Sequence, residues 1–354
     1  MNTIKSLLFI LIMLLLCVSC NKMQVFRMDV LKPGFVLVPS QKNNIVLADN
    51  SGVQPQAVGH QVKVGFKVVG DTSFNLEPLS GMLLSSLSNY LLKEGCYDRI
   101  RILSRNDLLP GKTEESDYLR SGRISNSKIM EISRDTSVNL LFTLDRLLTK
   151  TTTNSYYTGE TYTATRDVWI NTVWRVYDLD MDTIVTQFQY NDSLYWQKFN
   201  SNPKVIMKML PEMETVLPEI ADVVAEHLNK FMGPHWETEK REYYCTGGYR
   251  MKLASDLVRE ELIDDAAKLW EVEFEKGFLR SKYRAAINMM FYEEVKGVPS
   301  LALSWEAKAE EALNKCPIGG SDFDIALLAQ WKKELEDRVN DVQKLKIYFV
   351  GNLN

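Results

Sequence analysis

Several short patterns in this chain have residue types that could do chemistry, and each departs from what that chemistry requires. Gly111-Lys112-Thr113 ends like a phosphate-cradling loop, whose earlier glycine would fall five residues upstream; Asn106 stands there, and Pro110 has no N–H to offer a phosphate. A surface turn is the expectation. Asp178, Asp180 and Asp182 have the alternate spacing that opens a calcium loop, but Thr183 replaces the glycine of the tight turn and Gln189 the closing bidentate glutamate. A hairpin turn accounts for the three aspartates. The three histidines are His60, His227 and His235, and the spacing of the last two fits no zinc motif. No Gly-x-Ser-x-Gly elbow is present, and beyond residue 20 no two cysteines are close in sequence. The acidic doublets Glu260-Glu261, Asp264-Asp265, Glu293-Glu294 and Glu310-Glu311 could supply a glycosidase carboxylate pair, but they fall on predicted helices, where a solvated face is the expectation. The sequence therefore nominates no catalytic residue, no metal ligand set and no cofactor, and the expectation is a protein that is not an enzyme.

One thiol is placed for a different reaction. A polar opening with Lys5 is followed by the apolar run Leu7–Leu16 and then by Cys17-Val18-Ser19-Cys20. The run has the length of a secretory signal, and it is short of the ~20 residues of a spanning helix. Its end resembles a bacterial lipobox, with Cys17 three residues before the acceptor in place of the usual leucine. The expectation is a signal peptide over 1–19, lipid attachment at Cys20, and a lipidated tether over 20–34. Acyl chains bury about 0.8 kcal/mol per methylene, so a multiply acylated cysteine is a durable membrane anchor.

The chain has 354 residues, enough for two domains, and a formal net charge of −4, which argues against nucleic acid as a partner. With 45% hydrophobic and 10% aromatic residues it can build packed cores. Beyond the lipobox only Cys96, Cys245 and Cys316 remain, so one disulfide can form and none is required.

These features need a scaffold. Phe35–Val38 and Ile45–Leu47 read as short strands, and leucines from Leu76 to Leu92 recur at helical spacing up to a Gly95 stop. Ile100–Leu103 and Val138–Leu148 are strands, with Leu140, Phe142, Leu144 and Leu148 on one face and a short helix over 125–133 before the second. Residues 149–166, rich in Thr, Tyr, Ser and Gly, read as a long polar hairpin connection or a strand extension, and as a candidate mobile loop. Val168–Tyr177 and Ile184–Tyr190 form a hairpin, a helical stretch over 204–232 is expected to kink or break at Pro211 and Pro218, and 239–245 returns as a strand. The fold class expected is α+β, a mainly antiparallel sheet with helices on one face over 35–246. An all-α domain follows over 249–354, after Gly247-Gly248. There Ala254, Leu257, Ala266 and Trp270 take the packing positions of a tetratricopeptide repeat, restated by Ala302, Trp305 and Ala309, with Glu273 where the repeat takes alanine.

The lipobox, the segment Leu31-Lys32-Pro33-Gly34-Phe35-Val36-Leu37-Val38-Pro39, the hairpin sheet and the Asn288–Glu293 stretch before Gly297 together resemble a family of lipoproteins of unknown function from Gram-negative gut anaerobes. The resemblance implies an N-terminal α/β domain joined to C-terminal tetratricopeptide-like helices. It also implies a place in the cell envelope, on the outer membrane facing the periplasm, with surface display as the alternative. Helical repeats bind peptides on their first-helix face, which here includes Asn288 and Tyr292. The leading expectation is thus a non-enzymatic lipoprotein that docks a protein partner or assembles a complex. The alternatives are a glycan-binding lipoprotein that stacks sugars on Trp169, Trp174, Tyr177, Tyr190, Tyr195 and Trp196, and an enzyme whose site lacks a recognisable motif.

Overall fold

The computed structural model describes residues 23–37, 44–95, 97–108, 118–119, 122–136, 138–180, 183–316 and 321–348. Cys20, Cys96, the Gly111-Lys112-Thr113 triplet and Asp182 lie outside them. In chain order the first elements are β1 (Met23–Lys32), β2 (Asn44–Asp49), β3 (His60–Val64), β4 (Lys67–Asp71), α1 (Leu79–Lys93), β5 (Arg99–Leu103), α2 (Arg105–Leu108) and α3 (Asn126–Thr136). The long strands β6 (Leu140–Tyr157), β7 (Tyr162–Asp178) and β8 (Thr183–Asn200) come next, then α4 (Pro203–Ile206), α5 (Met213–Met232) and β9 (His235–Tyr244). The chain ends in the helices α6 (Tyr249–Arg259), α7 (Ile263–Lys276), α8 (Leu279–Val295), α9 (Pro299–Asn314) and α10 (Asp322–Tyr348). Two compact units result: residues 33–235 with 345–348, and residues 23–32 with 236–344.

The first unit is an α+β fold around one seven-stranded, mainly antiparallel sheet. Strand β6 is its axis. Its first half pairs in parallel with β2, which pairs in parallel with β5; its second half pairs in parallel with β3, whose other neighbour is β4. Along its whole opposite edge β6 pairs antiparallel with β7, and β7 with the edge strand β8. Residues 149–166 are therefore the strand extension, closed by a turn over 158–161 in which the Thr158 N–H donates to the Thr161 carbonyl at 2.9 Å. Thr149, Thr151 and Thr153 are buried, which is why a polar run there makes a strand. A bulge between Leu144 and Arg146 shifts the register against β7, so Leu148 turns to the face opposite Leu144.

Helix α1 buries Leu79, Leu83, Leu84, Leu87 and Leu91 and ends at Gly95, whose φ of +70° suits glycine at a helix stop. Helix α5 packs on α1 and continues through Pro218, near its start, while Pro211 lies just before it. A second core, with Ile129, Ile132, Leu103 and Leu108, covers Val46, Leu141 and Tyr177 at one end of the sheet. Residues 33–37 are not a strand. Their conformation is set by α5: Phe35 N–H donates to the Phe231 carbonyl at 2.8 Å, and a Cβ on Gly34 would lie 2.7 Å from Gly233 backbone. Only glycine fits that approach.

In the second unit β1 and β9 form a two-stranded sheet, so 23–32 is a strand and not a tether. Phe26, Met28 and Val30 point in while Val25, Arg27 and Asp29 are exposed, an alternation readable in the sequence. Strand β9 belongs to this unit as well. Helices α6 to α9 pack each on the next, burying Ala254, Ala266, Trp270, Ala302 and Ala309 completely, while Leu257 and Trp305 are half-buried.

At the centre of this unit Arg241 of β9 is buried and donates from Nε and Nη2 to both oxygens of Glu294 on α8, at 2.6 and 2.7 Å. Glu239 also accepts from it, Glu334 lies 3.4 Å away, and Lys32 of β1 pairs with Glu239 at 2.5 Å and with Asp341 at 3.3 Å. Glu294 is thus no solvated residue of an acidic doublet. Its charge ties β9 to a helix, and a buried carboxylate without such a partner would be strongly unfavourable.

Candidate binding sites

The glycine pair Gly247-Gly248 joins β9 to α6 with φ of +146° and +131°, a conformation only glycine adopts with ease. This turn, the start of α6, and α7 and α8 enclose a cleft of about 660 Å³ lined by Tyr249, Arg250, Leu253, Leu269, Phe278, Arg280 and Arg284 among others. Tyr249 and Phe278 are 80% and 91% exposed, high values for aromatic rings of a folded unit. Glu273 forms the rear wall: its Oε1 accepts from Ser281 Oγ at 2.5 Å and its Oε2 lies 3.2 Å from Arg250 Nη1. This carboxylate therefore ties α6, α7 and α8 together. Arg284 donates to the Thr246 carbonyl at 3.1 Å and lies 5.2 Å from the Tyr244 ring, and its Nε has no partner. Arg280 reaches Asp324 only at 3.4 Å. Three guanidiniums and two exposed rings thus face a cleft whose own carboxylate is buried. That arrangement has the chemistry to hold an anionic, partly apolar group.

Asn288 and Tyr292 lie elsewhere. Asn288 is completely buried and clamps β9, its Oδ1 accepting from Tyr244 N–H and its Nδ2 donating to the Tyr244 carbonyl, both at 2.7 Å. It is thus withdrawn from any groove, because an amide that satisfies strand backbone reads in sequence like an amide that meets a ligand. Tyr292 is half-buried and donates to Asp264 at 2.9 Å. Burial, with this hydrogen bond behind it, pushes its hydroxyl up to about 12.

In the sheet unit, cross-strand register puts Lys150, Thr152, Asn154 and Tyr156 of β6, Asp167, Trp169 and Asn171 of β7, and the odd-numbered residues 191–199 of β8 on one face. Trp169 is 58% exposed, Tyr195 54% and Phe199 58%. Trp174 and Tyr177, expected with them on a sugar platform, are core residues, and Trp196 packs against α4 residue Ile206 on the opposite face. Asn171 donates to Asn191 at 2.5 Å. Burial raises the Asp167 carboxyl, with Lys63 opposing the shift, and burial beside Tyr156 and Asp167 raises the Tyr195 hydroxyl.

The histidines do not converge. His60 is buried with Nδ1 3.0 Å from Thr151 Oγ1, His227 pairs with Asp192 at 2.7 Å, and His235 faces the Gly233 carbonyl. Among the described residues no three His, Cys, Asp or Glu side chains form a metal-holding group. Neither Cys245 nor Cys316 forms a disulfide among the described residues. No described helix is long and apolar enough to cross a membrane.

The fold defines a two-unit protein with an α+β half and a helical half. The chain belongs to the family described as Domain of unknown function (DUF8603), which matches residues 43–244; residues 252–348 match the family described as Domain of unknown function (DUF6340). No curated protein matches it. Among solved structures it is similar to the PelC dodecamer from Paraburkholderia phytofirmans, at 8% identity over 59% of this chain and 98% of that one, with a TM-score of 0.23. It is also similar to protein XCC0632 from Xanthomonas campestris, at 9% identity over 56% and 91% of the two chains, TM-score 0.26. A third is lipoprotein GNA1162 from Neisseria meningitidis, at 13% identity over 51% and 99%, TM-score 0.17. Scores this low carry no functional inference.

Proposed function

We propose that this chain is a lipid-anchored cell-envelope protein, tethered through Cys20 to the outer membrane and facing the periplasm, whose tetratricopeptide-like helical unit docks an acidic segment of a partner protein and performs no catalysis. The cleft between α6, α7 and α8 supports the docking. Arg250, Arg280 and Arg284 supply positive charge, and Tyr249 and Phe278 supply exposed ring surface of the kind that anchors protein interfaces. Lipidation rests on the position of Cys20 after the apolar run. Because β1 starts at Met23, only Asn21 and Lys22 separate the anchor from the helical unit, a leash of roughly 10 Å at full extension.

The test uses the full chain in cells. A photo-crosslinking amino acid at position 249 or 278 is expected to capture a protein whose adducted peptide is acidic, with adducts lost in an Arg280→Glu/Arg284→Glu variant. Adducts confined to neutral or basic peptides, or unchanged by charge reversal, would overturn the docking reading. Cys20→Ala is expected to release the protein from the membrane fraction, and retention there would overturn the anchor.

A further inference from the structure

The open face of the sheet carries a second, independent site. Its distal half presents Trp169, Tyr195 and Phe199 as exposed rings on two adjacent strands, while the opposite face of the same strands is closed by α4 and α5. Trp169 lies opposite Ser193, which places it diagonal to Tyr195; Tyr195 lies opposite Asp167, and Phe199 opposite Thr163. Tyr195 and Phe199 are four residues apart on one strand, a span of roughly 13 Å. Between and beside the rings the face is built of amides and hydroxyls: Gln61, Thr152, Asn154, Asn171, Asn191, Ser193 and Gln197. The side-chain Oδ1 of Asn154 is sheltered and has no hydrogen-bond partner. Charge on the face is sparse: Lys63 is set against Asp167, Lys150 lies at the margin, and Arg146, at the other end of the strand, donates to Asn171 Oδ1 at 3.1 Å.

This chemistry selects among ligands. A nucleic acid or an anionic lipid surface needs a cationic stripe, which the face lacks. A protein strand would add to the edge of the sheet and not to its face. Rings that can stack on apolar C–H surfaces, set among groups that both donate and accept, match a neutral polyhydroxylated chain, and the spread of the rings requires one longer than a monosaccharide. We infer that this sheet face binds an extended, neutral polysaccharide, with Trp169 and Tyr195 as stacking residues and Phe199 extending the track. The inference does not rest on the docking of an acidic segment by the helical unit.

The test is native affinity electrophoresis of the full chain in gels containing hydroxyethyl cellulose, xyloglucan, galactomannan, laminarin or dextran, with polygalacturonate as the anionic comparison. At least one neutral polymer is expected to retard the protein, and Trp169→Ala and Tyr195→Ala are each expected to weaken that retardation about tenfold. Both side chains are exposed, so the variants should keep the parent's circular dichroism and unfolding midpoint, which separates lost binding from lost fold. Retardation by none of the neutral polymers, by polygalacturonate alone, or equally in the Trp169→Ala/Tyr195→Ala double variant would each overturn the inference.

Discussion

Each unit is fastened by one buried arginine and carboxylate, and the two fasteners are built differently. In the helical unit Arg241 meets Glu294 through two parallel bonds, with Glu239, Glu334, Lys32 and Asp341 extending the network across β1, β9, α8 and α10. In the sheet unit Asp145 sits in the β6 bulge, where Arg175 reaches one oxygen at 2.5 Å while Asn50 Nδ2 and Thr143 Oγ1 each donate to the other at 2.8 Å. Asn50 and Arg175 also donate to the Gly122 carbonyl, so this knot pins a loop more than it joins layers. A buried charge can thus cement separate elements together or hold one irregular segment in place.

The contrast can be broken by substitution. Arg241→Ala leaves the buried Glu294 only the more distant Arg338, whose Nε lies 3.9 Å away, and chemical denaturation is expected to show a loss of about 3–5 kcal/mol; a loss below 1 kcal/mol would mean the network is incidental. Asp145→Asn keeps the size of the group, and leaves Arg175 its bonds to Gln187 and to the Gly122 carbonyl. Its expected cost is smaller, about 1–3 kcal/mol, with protease cleavage near residue 122 increasing first. Gly34→Ala, by forcing a methyl against Gly233 backbone, is expected to cost about 1–3 kcal/mol as a lowered thermal midpoint.

Acid should separate the units as well. Burial lowers the His60 pKa in the sheet unit, so protonation favours the unfolded chain; stability present above about pH 6.5 is lost as pH falls below that. His60→Gln should flatten the dependence between pH 7 and 5. In the helical unit burial raises the Asp324 carboxyl, but hydrogen bonds from Tyr244 and Ser321 outweigh it and the net shift is downward. Its contribution is full above about pH 3.9 and fades only as pH falls through the depressed value, so Asp324→Asn should change the pH dependence of unfolding below pH 4 and leave the slope of stability against pH between 5 and 7 unchanged. The smallest effect expected is at Glu261, whose φ of +62° follows α6: Glu261→Gly should stabilise by about 0.5–1 kcal/mol in the same denaturation assay.

Much of this scaffold was legible from periodicity. The leucines of α1, the β7–β8 hairpin and the buried alanines of the helical unit fall where their spacing puts them. What escaped depends on partners remote in sequence. Met23–Lys32 is a strand because β9 meets it, some two hundred residues on, and the Asp145 bulge that reverses Leu148 has no local mark. Helix α5 runs through Pro218 because its apolar face is buried on α1. The cleft was missed because Tyr249, Phe278 and the three arginines come from separate segments, whereas Trp169 and Tyr195 of the sheet face were visible as aromatics but not separable from the buried Trp174 and Tyr177 until register was known.

The close approach of Gly34 to Gly233 has a consequence for the order of assembly. The α+β unit is inserted between β1 and β9, and its entry and exit meet where these two glycines touch. Pairing β1 with β9 in a nascent chain would mean closing a loop of some two hundred residues, a cost that grows only with the logarithm of length but must be met before any contact repays it. If the insert folds first, it delivers β1 and β9 to one another already side by side, and the remaining search is short. The helical unit, although it contributes the first strand, is then the last part of the chain to be finished, with β1 held unpaired until β9 has been made and its helices following after.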